Sequence, residues 1–138
     1  LGAYCVDNCP NAKPALRNHI KRLADLGLFV VIAAGNDGGD AMLSLPGCID
    51  YPNVYTVGAI DCVKECTPYS NYGANVDWLT VGTNVMSTYK NGRFAIMSGT
   101  SMSTAVVSGI IHANNGPPTS AGTVSCSVGL GTNIAKRY

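Results

Sequence analysis

Hydrophobic residues near the start of the chain recur every three or four positions, which is the spacing of one buried helix face. This pattern predicts a helix over residues 12–26. Asn11 can cap the helix and Gly27 ends it. Pro14 is tolerated in the first turn, because the first N–H groups of a helix have no partner within it. The predicted buried face consists of Leu16, Ile20, Leu23 and Leu26.

Apolar segments without the helical spacing predict three strands. Residues 28–34 form a continuous apolar run rich in β-branched side chains, which indicates a strand buried on both faces of a parallel sheet. Polar residues and glycines at 35–40 end this strand at its carboxyl end, where open α/β sheets place their sites. Residues 53–60 predict a second strand and residues 76–81 a third.

A hairpin and a second helix are predicted in the remaining sequence. Residues 84–89 and 93–97 flank an Asn91-Gly92 pair, and Asn-Gly between two alternating segments is a strong hairpin signal. Small and apolar residues predict a helix from Ser101 to about residue 113. The tail is expected to be irregular, apart from one short strand over residues 131–135.

These elements predict an α/β fold of three layers, with a mostly parallel sheet between helices and one β-hairpin before the second helix. No internal repeat or domain boundary is evident, so residues 1–138 are expected to form a single domain. The composition, 46% hydrophobic and 12% charged, favours a packed core. A net charge of +1 gives no electrostatic reason to expect nucleic acid, and the longest apolar run is too short to span a membrane.

Six cysteines make disulfides the favoured interpretation of the cysteine pattern. Disulfides require an oxidising compartment, so the protein is expected to be secreted. Zinc is the alternative, because two pairs of cysteines lie four positions apart, although both histidines are far from these pairs in sequence. The sequence does not select a pairing among Cys5, Cys9, Cys48, Cys62, Cys66 and Cys126.

The strongest candidate for chemistry is the segment around Ser101. Gly99 allows a tight turn, and Ser101 follows two residues later at the predicted start of a helix. Free N–H groups and the helix dipole favour developing negative charge at such a position. Ser101 is therefore a candidate nucleophile, although an ordinary helix cap would show the same local pattern.

Three segments, taken in order, resemble the subtilisin-like serine proteases (subtilases), with the proteinase K-like group nearest. The resemblance extends over roughly residues 1–113, and it implies the C-terminal half of the subtilisin fold and hydrolysis of peptide bonds through an acyl-enzyme. The segments are Val31-Ile32-Ala33-Ala34-Gly35-Asn36, then Ser70-Asn71-Tyr72-Gly73 with Asp77 and residues 82–88, and finally Ser98-Gly99-Thr100-Ser101-Met102-Ser103-Thr104 running on to Gly109.

The resemblance also implies roles for individual residues. Ser101 would attack the scissile carbonyl, and the Asn36 amide would join the Ser101 N–H in binding the oxyanion. The alternative for Asn36 is an ordinary turn residue beside glycines. The resemblance also implies that Gly2 ends the strand that aligns the substrate. The small-residue wall of the specificity pocket, which would equally serve as strand core, would consist of Ala33, Ala34 and Gly35.

A structural calcium ion of the proteinase K-like type is implied as well, and no cofactor is required for the chemistry. The carbonyl groups of Pro52 and Val54 and the carboxylate of Asp77 match that site. Hard oxygen ligands of this kind suit calcium. Asp77 would otherwise be only the first residue of a strand.

The histidine and aspartate of the family's catalytic triad are missing from this sequence, in which neither an Asp-Thr-Gly nor a His-Gly-Thr motif occurs. His112 would lie roughly 16 Å along the helix from Ser101, at about 1.5 Å per residue, which is beyond the reach of a general base. His19 belongs to the first helix. We therefore expect a partial domain without the N-terminal part that carries Asp and His, inactive in isolation.

Two functional interpretations remain open from the sequence. The first is a serine endopeptidase that acts on peptides and is completed by a segment bearing the triad partners. The second is a secreted, non-catalytic module derived from a subtilase, used for binding, as a toxin or in an assembly; Ala105-Val106, where the family has Pro-His, suits either. In both, an N-terminal protease segment or another chain is expected to cover the apolar edge of the 28–34 strand.

Overall fold

The computed structural model describes residues 3–4, 13–127 and 130–137. Within these residues the two α-helices are Pro14–Asp25 (α1) and Thr100–Asn114 (α2). The strands, numbered in chain order, are Ala3–Tyr4 (β1), Val30–Ala33 (β2), Ser44–Leu45 (β3), Val54–Ile60 (β4), Trp78–Val81 (β5), Val85–Tyr89 (β6), Arg93–Met97 (β7), Thr119–Ser127 (β8) and Leu130–Lys136 (β9).

Five strands form the main sheet in the order β2-β4-β5-β9-β8. The first four strands of this order run parallel, and β8 runs antiparallel to β9 along one edge. In the register of the central strands, Val57 of β4 lies opposite Trp78 of β5, and Trp78 lies opposite Asn133 of β9. The short strands β1 and β3 form a separate antiparallel pair, as do β6 and β7.

The helices cover opposite faces of the sheet. Successive side chains of a strand point to opposite sides, and the two helices pack against different sets of strand residues. Ile20 of α1 packs in one buried cluster with Ile32 of β2. Val107 of α2 packs in another cluster with Val57 of β4. The predicted three-layer α/β arrangement is therefore confirmed.

The buried face of the first helix is narrower than predicted. Ile20 and Ala24 are buried, and Leu16 packs against them. Leu23 and Leu26, however, are 43% and 72% exposed. Helical spacing identifies the apolar residues of a helix, but not how far neighbouring elements extend over them. The helix begins at Pro14 after Lys13, and the predicted cap Asn11 lies outside the described residues.

The first strand of the main sheet is not buried on both faces as predicted. Only Ile32 of β2 is buried, and the other three residues are half-buried. The reason is its position: β2 lies at an edge of the sheet, and within the described part of the chain its sheet partner is β4. Leu28 and Phe29, which precede the strand, are exposed.

The tail contains two strands rather than one. The predicted short strand lies within β9, and β8 pairs with it over Thr119–Ser127. The prediction of an irregular tail was wrong because the alternation of apolar and polar residues in β8 extends only over residues 123–127, where Val124 and Cys126 pack against the core. The rest of β8 is polar or small, and the strand lies at the edge of the sheet with two register shifts. The β6–β7 hairpin is confirmed, and its turn has positive φ angles at Asn91 and Gly92.

One disulfide joins Cys66, just after β4, to Cys126 in β8. Cys48 is also disulfide-bonded, and Cys62 is an exposed thiol. The prediction of disulfides is thus confirmed, and the Cys62–Cys66 pair is unsuited to zinc because Cys66 is already oxidised. No helix in the described part of the chain is long and apolar enough to cross a membrane.

Replacing both Cys66 and Cys126 by serine is expected to lower the free energy of unfolding by about 2–4 kcal/mol, because the bond closes a long loop of the unfolded chain. The two cysteines are 60 positions apart. Urea unfolding of the variant and the parent measures the difference. Cys62→Ser is the matched control, since this exposed thiol has no bond to lose; an equal loss in the control would contradict the prediction.

Candidate active site

The second helix begins within the segment around the candidate nucleophile Ser101. Gly99 has φ +151°, and α2 starts at the next residue, Thr100. Thr100 and Ser103 are fully buried, and the Ser103 hydroxyl donates to the Thr80 carbonyl of β5 at 3.1 Å. Ser101 lies between these residues, and its side chain is exposed. The buried neighbours therefore fix the first turn on the sheet while Ser101 faces outward.

Asn36 contacts this first turn directly. Its Oδ1 accepts a hydrogen bond from the Thr100 backbone N–H at 2.8 Å and a second from the Thr100 hydroxyl at 3.0 Å. A side-chain amide has one oxygen acceptor and two N–H donors. Because both bonds use the oxygen, they leave the Nδ2 donors unused, and Nδ2 lies close to Gly99, two residues before Ser101.

The loop that carries Asn36 follows the carboxyl end of β2. Hydrogen bonds from Asn71 hold this loop in place. The Asn71 N–H donates to the Gly35 carbonyl at 3.0 Å, and its Nδ2 donates to the Ala34 carbonyl at 3.0 Å. Gly35 has φ +110°, and a Cβ at this position would overlap the Asn71 amide. Glycine is therefore required here on two separate grounds.

A cavity of about 280 Å³ lies next to the candidate nucleophile, between the β6–β7 hairpin and α2. Its walls are mostly apolar and include Ala105 and Val106, the two residues that depart from the family pattern. Both of these side chains are exposed. The lining residues are Val85, Met86, Ser87, Ser101, Met102, Ala105 and Val106.

Neither histidine can act on Ser101 within the described part of the chain. His19 is exposed on α1, on the other side of the sheet from α2, and its Nδ1 lies 2.6 Å from the Ala15 carbonyl. His112 is in the last turn of α2. Ser101 is in the first turn, about 16 Å away along the helix axis.

The family is settled by a match of the subtilase family model to residues 2–113. The chain belongs to the subtilase family. Relatives include the alkaline serine protease ver112 of Corniculantispora psalliotae, which is 43% identical over 96 residues, 70% of this chain and 25% of that protein. Proteinase T of Parengyodontium album is 40% identical over 96 residues, 70% of this chain and 32% of that protein.

A solved structure, a cold adapted subtilisin-like serine proteinase, superimposes on this subtilase chain with a TM-score of 0.72 and 29% identity. The match covers 84% of this chain and 41% of that one. The chain thus spans about a quarter to two fifths of the lengths of these three proteins. Other relatives are named intracellular serine proteases, so family membership alone does not give a location.

The residues predicted to line the specificity pocket of this subtilase chain differ in burial. Ala34 is completely buried and packs in the core, whereas Ala33 and Gly35 are half-buried. Any pocket wall in this strand therefore depends on Ala33, Gly35 and the backbone. Gly2 lies outside the described residues. The pocket-wall assignment stays a prediction.

The predicted calcium ligands lie where β4 and β5 begin. Asp77 Oδ2 accepts a hydrogen bond from the Thr56 N–H at 2.7 Å. Burial raises the pKa of Asp77 to about 6, the nearby charge of Asp50 adds to the increase, and the hydrogen bond from Thr56 opposes it. Pro52 is exposed in the turn before β4, and Val54 is the first residue of that strand. A cation here would favour the ionised form of Asp77, which burial and the charge of Asp50 both disfavour.

Two residues of the site were not identified from the sequence. The sequence predicts no role of its own for Thr100 within the nucleophile segment, yet Thr100 supplies both hydrogen bonds to Asn36 Oδ1. The family resemblance includes Asn71 without giving it a role, yet its side chain is buried and bonded to the loop before Asn36. Both residues lie in segments that resemble the family, but a short polar side chain does not show from sequence which partner it bonds.

Gly35→Ala is expected to lower the free energy of unfolding by about 2 kcal/mol or more, because an alanine at positive φ is strained and its Cβ displaces the Asn71 amide. Thermal unfolding of the variant measures the loss. Gly39→Ala in the same loop is the control, since a Cβ there meets no atom within 4 Å. Equal stabilities of the two variants would show that the close approach is unimportant.

Proposed function

We propose that this chain supplies the nucleophile and the oxyanion donors of a serine endopeptidase. The observation that carries the proposal is the pair of hydrogen bonds from Thr100 to Asn36 Oδ1. These bonds engage only the oxygen of the Asn36 amide, so its donors are left unused close to Gly99, and the exposed Ser101 follows two residues later. An ordinary helix-capping serine would need no such amide beside it.

In the proposed reaction, Ser101 Oγ attacks the carbonyl carbon of the scissile peptide bond. The hydroxyl proton passes to a histidine, and the carbonyl oxygen becomes an oxyanion that accepts hydrogen bonds from Asn36 Nδ2 and the Ser101 N–H. Collapse of the tetrahedral intermediate expels the amine, which takes the proton from the histidine. Water then hydrolyses the acyl-enzyme by the same steps and restores the Ser101 hydroxyl.

The histidine and its aspartate partner belong, in this proposal, to a polypeptide segment outside these 138 residues. Support comes from the position of His19 and His112, neither of which is near Ser101. The exposed edge of β2 is the place where a further strand of such a segment would pair. The chain alone is accordingly expected to be inactive towards peptides, and the disulfides favour secretion.

A fluorophosphonate probe tests the proposed nucleophile, because its phosphorus is attacked by an activated serine and fluoride leaves. Ser101 is expected to be labelled in the protein isolated from its native source with its associated chains, but not in the 138-residue chain alone. Peptide mass spectrometry identifies the labelled residue. Asn36→Ala, produced in the native source organism, is expected to slow labelling of Ser101 about 10²–10³-fold. This is the loss established for one such donor in subtilisin, a member of this family.

Ser101→Ala is the negative control for the probe. An unlabelled Ser101 in folded native protein would refute the peptidase proposal. It would favour the second candidate function, a non-catalytic subtilase-derived module that binds a partner. One observation supports that candidate: Met86, Phe94 and Ile96 are 69%, 71% and 65% exposed on the β6–β7 hairpin. Such an apolar surface is typical of a binding face.

We further propose that a structural calcium ion binds at the start of β4 and β5. The Asp77 carboxylate and the carbonyl oxygens of Pro52 and Val54 would hold it, and its charge would compensate the two neighbouring carboxylates. The donor set is all oxygen, as calcium requires. The raised pKa of Asp77 supports the proposal, since burial beside Asp50 disfavours the ionised form when no cation is present.

Calcium at millimolar concentration is expected to raise the melting temperature of the chain by several degrees, and Asp77→Asn is expected to abolish this increase. Binding of the ion to the folded state alone accounts for the stabilisation. Differential scanning calorimetry with calcium and with EDTA measures it. Asp61→Asn is the control, because Asp61 lies at the other end of β4. An unchanged calcium response in Asp77→Asn would exclude this site.

A further inference from the structure

Asn71 makes four hydrogen bonds to one short loop, and all of them lie around Asn36. Before Asn36 it bonds the carbonyl groups of Ala34 and Gly35, as described above. After Asn36, its Oδ1 accepts from the Asp37 N–H at 2.9 Å and from the Gly39 N–H at 3.1 Å. The loop is therefore held on both sides of Asn36 by a single residue, which leaves the Asn36 side chain free to reach Thr100.

The chemistry of these bonds requires an asparagine. Its oxygen accepts twice while its nitrogen donates to a carbonyl, and an amide is the shortest side chain that does both. Aspartate would lack the donor and would place a negative charge against the Ala34 carbonyl. Glutamine would be longer by one methylene at a position that is only 2% exposed and pressed against Gly35.

Asn71 is itself fixed to the sheet. The Ser70 hydroxyl accepts from the Ala59 N–H of β4 at 2.9 Å and donates to the Asn71 carbonyl at 2.9 Å. The Asn71 backbone thus has a defined position relative to the central parallel strands. A continuous series of hydrogen bonds leads from β4 through Asn71 to the loop of Asn36, and from Asn36 to the first turn of α2.

We propose that Asn71 is a positioning residue for the Asn36 amide: it sets where the oxyanion donor lies relative to Ser101. The inference rests on the proposed function for its catalytic meaning, but the positioning itself is a property of the fold. A displacement of about 1 Å in a catalytic group can cost 10²-fold in rate. Loss of the Asn71 bonds is accordingly expected to slow reactions of Ser101 about 10- to 100-fold.

The first measurement is independent of activity. In ¹⁵N-labelled protein, the side-chain amide resonance of Asn36, assigned by its disappearance in Asn36→Ser, reports the position and mobility of that group. Asn71→Asp, and Asn71→Ser as a second and milder variant, are expected to shift this resonance and increase its mobility. Thr67→Val is the matched control: it removes a buried 3.0 Å hydrogen bond to the Ala59 carbonyl, and Thr67 takes no part in the four bonds from Asn71 to the loop.

The second measurement is the rate at which a fluorophosphonate labels Ser101 in the native protein. Asn71→Asp is expected to slow labelling 10- to 100-fold, and Thr67→Val to leave it within about twofold. In Asn36→Ala the same Asn71 substitution is expected to add nothing, because the group that it positions is gone. A purely structural role would give equal losses in both backgrounds.

The outcomes separate this inference from the proposed function. An unchanged Asn36 resonance in folded Asn71 variants overturns the inference, whether or not Ser101 is labelled. A further loss of labelling when Asn71→Asp is combined with Asn36→Ala overturns it as well. Failure to label Ser101 in the parent protein, combined with a shifted Asn36 resonance in the variants, refutes the peptidase proposal and leaves the positioning by Asn71 standing.

Discussion

The contact on which the site depends is the hydrogen bond from the Thr100 N–H to Asn36 Oδ1, at 2.8 Å. It joins residues 64 positions apart and connects the loop after β2 with the first turn of α2. A helix N-terminus has N–H groups without partners, and here one of them is satisfied by a side chain that keeps two donors of its own. The same bond thus completes the helix and orients the amide.

Contacts on both sides of this hydrogen bond hold the helix start and the loop in position. Buried Ser103 holds the helix start on β5 through the Thr80 carbonyl, while Gly35 allows the loop to approach Asn71. Most of these constraints come from neutral polar groups that are buried and paired. Such groups specify a unique arrangement, because each of them would lose a partner if the loop moved.

The sequence predicted those features that are contained in one contiguous segment. Ser101 and Asn36 each lie in a recognisable short motif, and β4, β5 and the β6–β7 hairpin follow from local patterns. The role of Asn71 could not be predicted, because its side-chain partners are 32 to 37 positions away and become neighbours only in the fold. The exposure of Leu23 and Leu26 was missed for a related reason, since the extent of the neighbouring layer is a tertiary property.

The disulfide between Cys66 and Cys126 closes a covalent ring that contains some residues of the site and leaves others outside. The covalent ring that it closes contains Asn71, Asp77 and Ser101 but excludes Asn36. The exposed turn at Lys90 also lies within this ring, so a single cleavage there would leave the two pieces of the chain connected through sulfur. Ser101 and Asn36 would then belong to different polypeptides of one molecule, and their alignment would depend on hydrogen bonds, packing and this one disulfide.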